Sequence, residues 1–118
     1  MEITIRQISL SDASAIKSLS QQLGYSLSEA QTLQNIKAVL ENNDHNAFVA
    51  LCENKVVGWI GMTQAIMLEL PPHCEINGLV IDERYRGHGI GKLLIEKAKE
   101  WEREKGKQEM EKKYRKKS

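Results

Sequence analysis

Glu75-Ile76-Asn77-Gly78-Leu79-Val80-Ile81-Asp82-Glu83-Arg84-Tyr85-Arg86-Gly87-His88-Gly89-Ile90-Gly91-Lys92-Leu93-Leu94 is the stretch that decides the fold. It reads as an apolar strand, a short charged turn, and a glycine-punctuated loop that opens into a helix. A helix start carries unpaired backbone N–H groups and the positive end of the helix dipole. Glycines there let an anion come close to the backbone. Arg86 adds a positive charge beside them. The pattern is that of a pyrophosphate cradle at a strand-to-helix turn. A bare turn does not need glycine at 87, 89 and 91 together, because each glycine costs conformational entropy.

Two common cradles are excluded. The Walker loop needs G-x-x-x-x-G-K followed by Ser or Thr. Here Gly91-Lys92 is followed by Leu93, and Arg86 stands where the first glycine belongs. The dinucleotide fingerprint needs G-x-G-x-x-G and an acidic residue about 20 positions on. Neither is present. What fits is R-x-x-G-x-G, as Arg86, Gly89 and Gly91, with an apolar strand ahead of it and Leu93-Leu94 in the helix behind. This strongly resembles the acetyl-CoA-binding motif of the GCN5-related N-acetyltransferase (GNAT) family.

The resemblance implies an α/β protein with a mixed α+β sheet, the acyl-CoA N-acyltransferase fold. Its order is strand, helix, helix, strand, strand, strand, helix. It implies acetyl-CoA as co-substrate, with its carbonyl and pantetheine bonded to strand backbone at Leu79, Val80 and Ile81. The pyrophosphate is held by Arg86, Gly87, His88, Gly89, Ile90, Gly91 and Lys92. The implied reaction is direct attack of a primary amine on the thioester, with no metal. The amine must be neutral to attack, yet a free amine is mostly protonated at neutral pH. A general base is therefore useful. Glu75 has two readings: the general base, leading an apolar strand where burial would raise its pKa, or an exposed strand-end Glu. His73 is a second candidate.

Length and composition bound the rest. The 118 residues make one domain. A formal net charge of +1 gives no global drive toward nucleic acid or an anionic membrane. From Lys99 to Ser118 there are nine Lys/Arg and five Glu, so the basic excess is local. Cys52 and Cys74 have no metal-ligand spacing and sit in apolar strand contexts. Buried free thiols in a reducing cytoplasm are expected. Met1-Glu2-Ile3-Thr4 lacks the basic region and apolar run of a signal peptide, and no stretch has transmembrane length.

In chain order, Ile3 to Ile8 alternates as a first strand. A helix from Asp12 to Leu23 buries Ala15, Ile16, Leu19 and Leu23, and Gly24 stops it. A second helix from Ser28 to Glu41, capped by Ser26 or Ser28, turns Leu33, Ile36, Val39 and Leu40 inward. In the family this helical pair walls the acceptor site. Tyr25, between the helices, has two readings: a substrate contact or a helix-end packing residue. Glu41 to Asn46 is a polar loop. Ala47–Glu53 and Val56–Gln64 form a hairpin around Asn54-Lys55. Gly58 and Gly61 mark close packing or a bulge. Trp59 belongs to the core or an interface. Residues 65–73, with Pro71-Pro72, form an apolar connector that lines the acceptor groove or makes a dimer contact. Cys74 to Ile81 is nearly all apolar after Glu75, which predicts a buried strand. A third helix from Gly89 packs Ile90, Leu93, Leu94, Ala98 and Trp101 on the sheet.

Residues 1–105 carry the resemblance, and 106–118 form a charged, Lys-rich tail able to prolong the last helix. The family's usual fifth strand, fourth helix and final strand pair have no counterpart in this sequence. Those elements usually carry the Tyr that protonates the CoA thiolate, and Tyr114 does not take that role. An open fourth-strand edge predicts a homodimer. The function expected is N-acetyl transfer to a small-molecule or protein amine. The alternatives are an acetyl-CoA-binding remnant without catalysis, and an interaction fragment whose basic tail grips an acidic partner. Nucleic acid is the weakest partner, since Glu alternates with the basic residues and no aromatic platform accompanies them.

Overall fold

The computed structural model describes the backbone of residues 1–117 and the side chains of residues 1–107. The elements are β1 (Ile3–Gln7), α1 (Ala13–Gln21), α2 (Glu29–Glu41), β2 (His45–Cys52), β3 (Lys55–Ala65), β4 (His73–Ile81) and α3 (Ile90–Lys117). Single 3-10 turns at Leu10–Asp12 and Glu83–Tyr85 precede α1 and follow β4. The strands form one antiparallel sheet in the order β1-β2-β3-β4, so β1 and β4 are its edges. The order of elements is the one expected and the fold is α/β, but every strand pair among the described residues is antiparallel, so the expected mixed sheet is corrected to an antiparallel one. Tyr114 has a side chain outside the described residues.

A core forms on each face of the sheet. α3 lays Ile90, Leu94 and Ala98 against Phe48, Ala50 and Ile60. Across the sheet, Ile16 of α1 and Ile36 of α2 cover Ile8, Ala47 and Val49. The alternation along β2 sorts these residues to opposite faces. Complete burial of Leu94 and of Ile60 contributes roughly 1.5–3 kcal/mol each.

Each helix departs from its expected stripe. The 3-10 turn rotates faster per residue than an α-helix. The buried stripe of α1 therefore starts at Ala13, Ala15 is half-buried, and Leu23 lies beyond the helix and exposed. Ser28 caps α2 by accepting the Gln31 N–H at 3.1 Å. Ile36 is buried and Val39 half-buried, but Leu33 and Leu40 are exposed. Thr32 takes the inward place, its hydroxyl donating to the Ser28 carbonyl at 2.9 Å. On α3, Leu93 is exposed and Trp101 half-buried.

The hairpin turn is Glu53-Asn54, one residue earlier than expected. Both residues have positive φ, 50° and 64°, and Cys52 pairs with Lys55. A two-residue turn of this hand needs positive φ at both central positions, which Asn tolerates well. Gly58 and Gly61 each adjoin a register irregularity, as predicted. One leaves Val57 unmatched against β2, and the other leaves Asn77 unmatched against β3. A Cβ on Gly61 would stand 2.8 Å from the Asn77 side-chain oxygen, and one on Gly78 2.6 Å from the Trp59 ring. These glycines let Asn77 and the indole close onto the sheet.

The expectation of a buried fourth strand is corrected. Glu75, Ile76, Asn77 and Leu79 are exposed, because β4 is an edge with a neighbour on one side only among the described residues. The thiols are free and half-buried rather than buried. Burial, followed by the nearby Glu102 and Glu75 carboxylates, pushes the Cys74 thiol up.

Candidate functional site

The turn after β4 is built on Asp82. Its N–H donates to the Val57 carbonyl at 2.9 Å, which fixes the end of β4 to β3. Its buried carboxylate accepts the Arg84 N–H at 3.0 Å and the Arg84 guanidinium at 3.1 Å. The Arg84 side chain holds this carboxyl below the usual carboxylate range, against the opposing effect of burial. The Arg86 Nε donates back to the Ile81 carbonyl at 3.3 Å. Gly87 and Gly89 then adopt φ of +83° and +78°, the left-handed region that favours glycine.

α3 opens directly from this loop. The Leu93 N–H donates to the Gly89 carbonyl at 3.2 Å. The N–H groups of Ile90, Gly91 and Lys92 precede it and point out of the helix start. A Cβ added to Gly91 would meet nothing within 4 Å. The protein's own packing therefore does not require glycine there, but an anion approaching the helix start does. Residues 86 to 92 are together at one end of β4, in an arrangement that fits a pyrophosphate.

Leu79, Val80 and Ile81 are not equivalent along β4. Alternation from the Asp82–Val57 bond turns the Val80 backbone toward β3 and the Leu79 and Ile81 backbones toward the open edge. The Val80 side chain is 5% exposed and lines a cavity.

That cavity holds about 790 Å³ between the α1/α2 pair and the sheet, and it reaches β4 from Asn77 to Val80. Tyr25 lines it from the loop between the helices. Glu75 does not line it, and neither does the connector from Ile66 to Pro72, whose Ile66, Leu68 and Leu70 are exposed to water. The expected burial of Glu75 is also absent: its side chain is 51% exposed. Its carboxylate accepts from His73 Nε2 at 3.1 Å, while His73 Nδ1 faces the Pro71 carbonyl at 3.0 Å. With an acceptor at each ring nitrogen, the Pro71 carbonyl first and Glu75 second, His73 titrates above its usual value.

Sequence reading missed His45. The polar run from Glu41 to Asn46 reads as a loop, yet β2 begins at His45, whose ring lines the cavity. His45 Nδ1 lies 3.3 Å from the Thr63 hydroxyl, which also accepts the Asn77 side-chain N–H at 2.6 Å. The available signal was the alternation of His45, Ala47 and Val49 on one face of β2.

A four-stranded sheet with a split fourth strand leading into a glycine cradle defines the acyl-CoA N-acyltransferase class. A family model described as acetyltransferase (GNAT) family matches residues 12–113, and the chain belongs to that family. It is similar to a GNAT family acetyltransferase of Staphylococcus aureus, with 26% identity and a TM-score of 0.76 over 88% of this chain and 80% of that one. It is also similar to an acetyltransferase of Trypanosoma brucei, with 26% identity and a TM-score of 0.73 over 89% and 78%. The aminoglycoside N-acetyltransferase AAC(6')-Iy, solved in complex with CoA, shares the fold at 19% identity and a TM-score of 0.77 over 89% and 72%.

Proposed function

We propose that this chain transfers the acetyl group of acetyl-CoA to a primary amine bound in the α1/α2 cavity. The observation that carries the reading is a junction. One cavity meets β4 between Asn77 and Val80, and the same strand runs straight into the cradle at residues 86–92. The cradle takes the pyrophosphate, and the outward backbone of Leu79 and Ile81 takes the arm that carries the thioester. A neutral amine nitrogen attacks the thioester carbonyl. The C–N bond forms, the C–S bond breaks, the amine loses a proton, and the CoA thiolate takes one from solvent. Glu75 receives the amine proton through water, with His73 beside it.

A second reading, an acetyl-CoA-binding module without turnover, draws on the open edge of β4: among the described residues, Leu79 and Ile81 have a strand on one side only. Both readings require acetyl-CoA to bind. Calorimetric titration of the purified chain with acetyl-CoA is expected to give a Kd on the order of micromolar. Gly91→Glu fills the open approach with a like charge, so it is expected to abolish binding without moving Tm. A folded wild-type chain that does not bind acetyl-CoA overturns both readings. Release of CoA thiol in the presence of an amine separates them.

A further inference from the structure

The lining of the cavity says which amine it takes. Its walls are largely apolar, with Ile16, Leu27, Ile36, Val39, Trp59 and Val80 contributing from both helices, the loop between them and the sheet. Its polar side chains are amides and hydroxyls, such as those of Asn35, Asn46, Asn77 and Thr32, together with the His45 imidazole. Among the described residues, no Asp or Glu lines it. The formal charge on its wall is that of Lys17, which has no carboxylate within ion-pair distance among the described residues.

An ammonium group leaves water at low cost only where a carboxylate or several acceptors replace the solvent. A substrate with several ammonium groups would have to desolvate all of them here, opposite the like charge of Lys17. A substrate with one amine faces a smaller demand, since that amine reacts as the neutral base. Its apolar body then meets apolar walls, which the hydrophobic effect favours.

We propose that the acceptor is a monoamine on an apolar body, an arylalkylamine or branched alkylamine, and not a polycation. The inference rests on the acetyl-transfer reading and differs from what the name of AAC(6')-Iy says of that enzyme's own acceptor. Similarity to AAC(6')-Iy at 19% identity shows the fold alone.

The test uses the full chain with acetyl-CoA and compares tryptamine and phenethylamine with spermidine and kanamycin. Release of CoA thiol is expected to give the arylalkylamines a kcat/KM at least about a hundredfold above the polycations. Equal or faster turnover of the polycations overturns the proposal. A second readout needs no turnover: direct calorimetric binding of each amine to the chain. Tryptamine binding is expected whether or not acetyl-CoA binds, so failure of the acetyl-transfer reading remains distinguishable from failure of this one. No binding of either arylalkylamine, or tighter binding of spermidine, sinks the proposal. Lys17→Glu is expected to move the preference toward spermidine by about tenfold. An unmoved preference also counts against it, because it removes Lys17 from the site.

Discussion

Glu75 leads β4 with half of its side chain in water, and its carboxylate accepts from His73. A base in that position works through solvent rather than by direct contact inside a dry pocket. Two residues further along the strand, Asn77 lines the cavity, so Glu75 stands about 7 Å of strand from the cavity wall. Replacing Glu75 with Gln keeps the shape and removes the proton acceptor. Glu75→Gln is expected to lower kcat by about a hundredfold at neutral pH while leaving acetyl-CoA affinity unchanged. His45→Gln is the control, since the His45 ring lines the cavity wall. A larger loss from His45→Gln than from Glu75→Gln, read in the same thiol-release assay, moves the base from β4 to β2.

At the scale of elements, β1 and the entry to α1 are tied by one buried carboxylate. Asp12 is 4% exposed and accepts both Arg6 guanidinium nitrogens at 2.8 Å and the Ser9 N–H at 2.8 Å. Burial alone would push this carboxyl up, but the Arg6 and Ser9 bonds together hold it below its ordinary value. A depressed carboxylate stabilises the fold above its unfolded pKa, and that stability is lost as pH falls through the folded value. Acid unfolding monitored by circular dichroism is therefore expected to begin below about pH 4 for this pair. Arg6→Ala strands the carboxylate and is expected to cost about 2 kcal/mol at neutral pH, the exposed side of Arg6 limiting the loss. A variant as stable as the wild type would show that the pair does not hold the element junction. The sequence made the elements themselves legible, because alternation and the glycine cradle are local patterns. Ile3 to Ile8 and residues 86–92 needed no neighbour to be read. Burial of β4 was not legible, since an apolar run such as Leu79-Val80-Ile81 says nothing about whether a strand lies on its far side. The split backbone roles of Leu79 and Val80 depend on the register with β3, and the cavity position of His45 depends on where β2 starts. Neither is encoded within a few residues.

The whole molecule presents an unbalanced surface. Ile66 and Leu68 of the connector are 79% and 105% exposed, and Ile76 on the neighbouring strand is 45% exposed. Apolar side chains concentrated near one sheet edge mark a contact surface more often than scattered ones do. The backbone of that edge is divided by Asn77. On the side nearer the connector, the Cys74 N–H is already taken by the Glu102 carboxylate at 2.6 Å, so the helix α3 itself blunts strand addition there. On the other side, Leu79 and Ile81 belong to the proposed acetyl-CoA site. We therefore propose a homodimer held by side chains of the connector and Ile76, not by a continuous sheet across two copies. Sedimentation equilibrium is expected to show a dimer, and the double variant Leu68→Lys with Ile76→Lys is expected to run as a monomer with unchanged circular dichroism. The variant should still bind acetyl-CoA, because neither position touches the cradle. A wild-type chain that stays monomeric at high concentration ends the proposal. A dimer that survives both lysines places the interface elsewhere, because two charged ammonium groups buried against apolar partners could not persist there.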